Sequence, residues 1–321
     1  DFCLSRGLGD VYKRQEPDEE RRNLIAEVHG IPEERCYQDY RELLEEEKMA
    51  DCALVCTQDT MHFEPVTKAL EKGYHVLCEK PMSPDASEIV TMGNMAEKYG
   101  RILMICHVLR YSSFFSRIKN LIEEDRLGRL ISIQHIEEVG YWHHAHSFVR
   151  GNWRRSDETS PMILQKCCHD MDILQWLIGK KCKKVQSFGT LSYFKEENAP
   201  KDAPDYCIQG CPKADTCPYN AVRLYLDDKE NDWFRTTSTR EANPTDEMVE
   251  TALRTTQYGK CVFKCDNDVV DHQTVNMIFE DDITVTFTMN AFNKGGRFIH
   301  IMGTKGELHA AMDGLGTPIT I

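Results

Sequence analysis

Apolar and polar positions divide the chain into two differently patterned halves. Up to about residue 108, short runs that are apolar throughout alternate with segments of helical period. Cys52-Ala53-Leu54-Val55-Cys56, the stretch around Val76-Leu77, and Ile102-Leu103-Met104-Ile105-Cys106 carry the pattern of strands buried on both faces. Between them Leu43 and Leu44, then Val66, Ala69 and Leu70, then Ile89, Met92, Ala96 and Tyr99 recur at helical spacing. Asp39 and Ser83 stand as N-caps, with Gly30 and Gly73 as stops. Alternation of this kind predicts βαβ units, right-handed connections and a parallel sheet.

Beyond His107 the pattern changes. Phe114, Phe115, Ile118, Leu121 and Ile122 predict a helix that stops at Gly128, followed by a strand over about 130–139. A polar, aromatic and basic loop is expected as far as Asp157, then one helix from about Met162 to Ile178, ended by Gly179. Ile283, Val285, Phe287 and Met289 alternate strictly with Thr284, Thr286 and Thr288, the signature of an antiparallel sheet with one face buried. The stretch 195–250 is polar, rich in Pro and Asp, and is expected to be a long insertion.

Residues 1–15 fit neither pattern. Gly7-Leu8-Gly9 offers half of a dinucleotide fingerprint with no strand before it. This segment is read as a non-native leader. From Glu16 onwards, acids around Pro17 predict the start of a helix carrying Leu24, Ile25 and Val28.

The bulk numbers narrow the class of partner. At 321 residues, with 41% hydrophobic and 28% charged residues, the chain has room for two ordinary soluble domains. A net charge of −13 argues against nucleic acid. No apolar run is long enough to span a bilayer, so no membrane partner is expected. Fourteen cysteines, several inside predicted core strands, indicate reducing, cytoplasmic usage.

Glu79-Lys80-Pro81 ends the second apolar run. Pro81 cannot continue a central strand, so a glutamate and a lysine sit at the carboxyl end of a parallel strand, where open α/β sheets bind ligands. A proline breaking the chain so tightly is expected to be cis.

Thr57-Gln58-Asp59-Thr60-Met61-His62, Ala69 to Pro81, His107-Val108-Leu109-Arg110-Tyr111, Leu127-Gly128-Arg129-Leu130, His169-Asp170-Met171-Asp172 and Gly303-Thr304-Lys305-Gly306-Glu307 follow one another in an order that resembles the Gfo/Idh/MocA family of NAD(P)-dependent oxidoreductases. The resemblance covers nearly everything after residue 15. It implies an incomplete Rossmann-type parallel sheet over 16–108, followed over 109–321 by an α+β domain with a large open, mostly antiparallel sheet that serves substrate binding and oligomerisation. It implies hydride transfer between NAD or NADP and a secondary alcohol of a sugar, inositol or related polyol, in a homo-oligomer. Lys80 would lie near the reacting hydroxyl. Thr57, Asp59, His62, Glu79 and Lys80 would lie near the cofactor, Arg110 near the nicotinamide, and Glu16 would hold the adenosine ribose. A glycosidase that oxidises its sugar transiently with NAD, or a non-catalytic sugar-binding relative, also fits the resemblance.

Two departures from the family pattern stand out. The opening strand, Gly-rich turn, helix and second strand are replaced by residues 1–15, so this chain is expected to bind NAD(P) weakly or not at all, unlike its intact parent. The aspartate that often lies four residues before the family's histidine is Gln165 here.

Oxidising an alcohol needs a base for the hydroxyl proton and a group that stabilises the alkoxide. His169 is the expected acid/base, Lys80 the electrostatic positioner, and Lys166, one helical turn before His169, a stand-in for the missing aspartate. The run from Tyr141 to Arg154 supplies aromatic faces and hydrogen-bonding groups suited to a sugar. Trp142, His146, Arg150, Trp153 and Arg154 are the expected substrate contacts. Cys207, Cys211, Cys217, Cys261 and Cys265 offer thiol ligands for a structural zinc or other metal, although their x3 and x5 spacings match no zinc ribbon. Free thiols are the competing reading.

Overall fold

The computed structural model describes residue 11 and residues 13–321, so Gly7-Leu8-Gly9 and most of the expected leader lie outside the described residues. The chain divides into two units, one ending at His107 and one beginning at Val108.

In the first unit, β1 (Arg14–Gln15) leads into α1 (Glu19–His29) and pairs in parallel with β2 (Cys36–Tyr37). Two residues placed in the leader by their lack of pattern are therefore a strand, too short to show a period. Asp18, not the residues before Pro17, caps α1 by accepting from the Arg21 amide, and Gly30 closes it in the left-handed conformation. Then follow α2 (Tyr40–Glu45), β3 (Cys52–Val55), α3 (Phe63–Glu71), β4 (His75–Cys78), α4 (Ala86–Tyr99) and β5 (Leu103–Ile105). Strands β3, β4 and β5 form a parallel sheet in that order. Val66, Ala69 and Leu70 of α3 and Met92 and Ala96 of α4 bury against Val55, Val76 and Cys78, as the spacing predicted. The α4 cap is Asp85 rather than Ser83, whose hydroxyl accepts from the Asp85 amide instead.

The second unit runs through α5 (Ser113–Glu123), β6 (Leu130–Glu138), α6 (Tyr141–His144), α7 (Met162–Gln165), α8 (Cys168–Ile178), β7 (Cys182–Thr190), α9 (Asp232–Thr239), α10 (Asp246–Thr255), β8 (His272–Phe279), β9 (Thr284–Asn290), β10 (Gly296–Gly303) and β11 (Glu307–Met312). Its six strands are ordered β11-β10-β6-β9-β8-β7. Only β6 and β9 run parallel; the other neighbouring pairs are antiparallel. The inner face packs Ile133, Val275, Val285, Phe287, Met289 and Ile301 against Phe115 and Ile118 of α5 and Ile173, Leu174 and Leu177 of α8. Gly128 turns the chain into β6 at φ +69°, and a Cβ there would stand 2.5 Å from Thr304 Oγ1, so only glycine fits.

Three expectations are corrected here. The single helix over 162–178 is two helices. The Met162 carbonyl accepts from both the Lys166 and Cys167 amides, and this widened turn breaks the i→i−4 ladder before α8 begins. The expected loop over 141–154 begins as α6 and continues as a π-helical turn over Ala145–Arg150, so its side chains fan out around an axis rather than alternating. The insertion is folded as well: Tyr225, Phe234, Val249 and Leu253 form a core of their own. Among the described residues, no helix is long and apolar enough to cross a membrane.

Candidate active site

The first unit gathers its polar groups at the carboxyl ends of β3, β4 and β5. The Lys80–Pro81 peptide is cis, as expected. His62 is buried, with Nδ1 2.8 Å from the Pro81 carbonyl and Nε2 3.0 Å from the Thr57 carbonyl. It bridges the end of β3 and the end of β4, and whichever ring nitrogen carries the proton donates to a backbone carbonyl. Thr57 turns inward too, donating to the Met61 carbonyl at 3.1 Å. Glu79 bonds the β5 end: its carboxylate accepts from the Cys106 thiol, which burial and the Glu79 charge push up to about 12. Lys80 is half-buried and Asp59 buried. Glu16 follows β1 directly, half-buried, and accepts from the Asp18 amide at 3.2 Å. Among the described residues of this unit, no glycine-rich turn leads from a strand into a helix.

In the second unit the principal polar constellation lies where β6 and β10 meet α7 and α8. Strand β6 alternates, and its inward positions after Ile133 are His135, Glu137 and Val139, all buried. A histidine and a glutamate on the core face demand partners. Asp170, wholly buried in the first turn of α8, lies 2.8 Å from His135 Nε2 and accepts from Arg297 Nε at 2.8 Å. The same Arg297 nitrogen stands 2.8 Å from Glu137, and Lys166 Nζ is 3.4 Å from the other Glu137 oxygen. Burial opposes the charge on Asp170, but the Arg297 guanidinium and the His135 hydrogen bond outweigh it and hold the carboxyl well below its usual range. Glu137 goes the other way, pushed up by burial and by the Asp170 charge.

This network forms one wall of a cleft of about 280 Å3 lined by Glu137, Trp142, His143, Lys166, Lys294 and Arg297. Burial, then the Lys166 charge, push His143 down to about 2, so its ring is neutral at physiological pH. Its plane stacks on Trp142, centroids 5.5 Å apart. The cleft thus offers an ammonium donor, a neutral imidazole and an indole face together, a combination suited to a hydroxylated carbon skeleton. His169 is half-buried on α8, immediately before Asp170.

The expected substrate contacts divide sharply. Trp142 lines the cleft, whereas His146 and Arg150 do not face it. His146 is buried, 2.7 Å from the Tyr225 hydroxyl and stacked on Phe234 and Tyr258. Arg150 is 1% exposed and donates to the carbonyls of Lys260 at 2.8 Å and Tyr219 at 2.7 Å. Trp153 packs against the main core, and Arg154 is held by both oxygens of Asp266. Arg110, expected near the nicotinamide, instead engages both carboxylate oxygens of Asp172 on α8. The helical winding of 141–150 explains the error at His146 and Arg150: a segment read as an extended loop would have presented them outward.

The cysteines converge only loosely. A bridge between Tyr206 and Lys260 sets Cys207 beside Cys261, and Arg150 Nη2 lies 3.6 Å from Cys207 Sγ. Cys207, Cys211, Cys217 and Cys261 lie near enough for the charges of the thiolates to be felt among them, but no three of the five sulfurs lie within 4.8 Å of one another.

Glu137, Lys294 and Arg297 were missed from the sequence, and His143 lay within the expected substrate run without being one of its named contacts. The only signal was on β6, where His135 and Glu137 occupy positions that alternation assigns to the core.

Two family models match the chain. One, described as an oxidoreductase family NAD-binding Rossmann fold, covers residues 10–107, and one, described as the family's C-terminal alpha/beta domain, covers residues 119–318. Among curated relatives, a 2,7-anhydro-N-acetylneuraminate hydratase of Escherichia coli is 30% identical over 44% of this chain and 37% of its own length. A putative oxidoreductase, YteT, of Bacillus subtilis is 23% identical over 81% of this chain and 60% of its own length. The chain thus spans between about a third and two thirds of these relatives. A crystal structure of scyllo-inositol dehydrogenase from Lactobacillus casei with bound NAD(H) and scyllo-inositol superposes with a TM-score of 0.62 at 16% identity, covering 94% of this chain and 68% of that one, which speaks to fold. With both halves matched in order, the chain belongs to the Gfo/Idh/MocA oxidoreductase family.

Proposed function

We propose that the protein moves a hydride between a nicotinamide dinucleotide and a secondary alcohol of a sugar, inositol or related polyol. The observation that carries this reading is the cleft in the second unit. Lys166 and Arg297 flank buried carboxylates there, beside a neutral His143 and the face of Trp142. Such a cleft suits a substrate that presents several hydroxyl groups.

The residues present fit the cofactor in part. Glu16 offers a carboxylate at a strand end for ribose hydroxyls, and Glu79 and Lys80 stand at the sheet edge where dinucleotides bind. The backbone cradle that a pyrophosphate needs is not among the described residues. When bound, the cofactor supplies the hydride acceptor. The chain's own contribution is proton and charge management. In the second unit His169 takes the hydroxyl proton; in the first, Lys80 supplies positive charge at the sheet edge. Lys166, 3.4 Å from Glu137, acts on substrate orientation.

The expected homo-oligomer is part of this reading. One row across the outer sheet face carries Phe188, Thr274, Thr288, Ile136, Phe298 and Ala311, with Phe188 64% and Ile136 39% exposed. Sedimentation as a monomer at micromolar concentration would remove that element.

A second reading is favoured by the hydratase relative: sugar chemistry that returns its hydride and produces no net redox change. The test is to offer NAD and NADP with a panel of inositols, aldoses and anhydro sugars, following both reduced nucleotide and sugar product. Net reduced nucleotide supports the first reading. Sugar turnover without it supports the second. A His169→Ala variant that folds normally and keeps its turnover would discard the acid/base assignment.

A further inference from the structure

The sheet of the second unit has a polar row beside the apolar one. Cross-strand register aligns Gln186, Asn276, Thr286, Gln134, His300 and His309 on the outer face, with Glu307 diagonally adjacent to His300 and two residues before His309 on the same face. His300 and His309 are directly opposed, and their rings stack with centroids 3.7 Å apart. Glu307 Oε2 lies 2.7 Å from His300 Nε2 and 3.5 Å from His309 Nε2. All three ligand atoms fall within 4.8 Å of one another, the only such group among the described residues.

From this geometry we infer a binding site for a divalent transition-metal ion, of the zinc, nickel or copper class, formed by His300, Glu307 and His309. Two imidazoles and one carboxylate are a borderline-soft ligand set, matched to those ions and poorly matched to magnesium or calcium, which take oxygen cages. The Glu307 oxygen, 2.7 Å from one imidazole nitrogen and 3.5 Å from the other, has only to part slightly from His300 for an ion bound at roughly 2.0–2.2 Å from each ligand. The site is built on rigid backbone. His300 lies in β10, hydrogen-bonded between β6 and β11, and the main chain of His309 exchanges both its amide and carbonyl bonds with Thr320 at 2.9 Å. Among the described residues no lysine or arginine forms an ion pair with Glu307, whose carboxylate faces His300 and His309. A cleft of about 430 Å3 opens beside the two histidines, lined by Gln134, Phe298 and Pro318 among others, leaving room for water or a ligand group at the remaining coordination positions. The cysteines around Arg150 are remote from this set in sequence and contribute nothing to it.

The site is independent of the hydride-transfer reading and is tested separately. The full chain, stripped with chelator and dialysed, is titrated calorimetrically with zinc and with nickel, with magnesium present in excess. One ion per chain is expected, with affinity falling at least roughly tenfold in Glu307→Gln and in His309→Asn. These side chains are more than half exposed, so thermal melting should report intact folds; His300→Asn serves if one variant does not fold. Cobalt provides the second readout: a spectrum lacking a thiolate-to-metal charge-transfer band supports the histidine–carboxylate site. Absence of saturable uptake, affinities unchanged in both variants, or uptake that is entirely thiolate-borne overturns the inference.

Discussion

His143 and His146 stand three residues apart on one helical segment and meet opposite fates. His143 opens on the cleft beside Lys166, whereas His146 is sealed among Tyr225, Phe234 and Tyr258. The same contrast separates Arg297 from Arg150. Arg297 faces two carboxylates at the cleft wall. Arg150 is held by carbonyl oxygens, with no carboxylate partner among its contacts and thiols nearby. Burying a cation is costly in both places, but the cleft offsets the cost with opposite charge and keeps its groups poised. The sealed pocket spends its hydrogen bonds on holding three chain segments together. Chemistry belongs to the first arrangement and architecture to the second.

Substitutions can break this contrast. The largest effect is expected for Arg150→Met, which abandons the Lys260 and Tyr219 carbonyls and should cost about 3–5 kcal/mol of stability in urea unfolding, with turnover per folded molecule unchanged. A cost below 1 kcal/mol would mean that the pocket is not architectural. Asp170→Asn should cost about 3 kcal/mol by leaving Arg297 and Glu137 unbalanced.

The pH dependence of Asp170 has a definite sign. Its folded carboxyl titrates below the unfolded value of roughly 3.9, so its stabilisation is complete above that pH and is lost as pH falls toward the lower folded value. Melting curves of wild type and variant, measured from neutral pH downward, should therefore converge in acid; parallel curves would refute the assignment. Lys166→Met, at the cleft, should leave the melting temperature nearly unchanged while lowering kcat/KM by roughly 10²-fold. The smallest effect is expected for Trp142→Ala, a rise in KM of roughly threefold to tenfold from the lost stacking face, with kcat retained.

Much of the scaffold was legible in the sequence because its periods are long and clean. The parallel strands read as apolar runs, β9 as strict alternation, and α5 as an amphipathic stripe, and each lies where its pattern placed it. Site candidates were legible only where an ordered motif carried them, at Glu79-Lys80-Pro81 in the first unit and around His169 in the second. What escaped was distributed: Glu137 and Arg297 come from β6 and β10, and only register brings them to one wall with Lys166, which was named but given a different partner. Composition misled at 141–154, where aromatic and basic residues suit a sugar-binding loop equally well as an aromatic core. Only the helical winding, with a π turn that no local propensity announces, decides that His146 and Arg150 face inward.

The parallel pairing of β6 with β9 has a consequence for how this unit acquires its structure. It joins residues 130–138 to residues 284–290 at the centre of the sheet, across all the intervening helices and the folded insertion. Contacts so distant in sequence bring a large loop-closure cost before they return any stability. During synthesis β6 emerges with neither of its neighbours, because β9 and β10 both lie more than 140 residues downstream. Both edges of β6 therefore stay unpaired until nearly the whole unit has been made, and chains interrupted before residue 284 lack the strands that complete it.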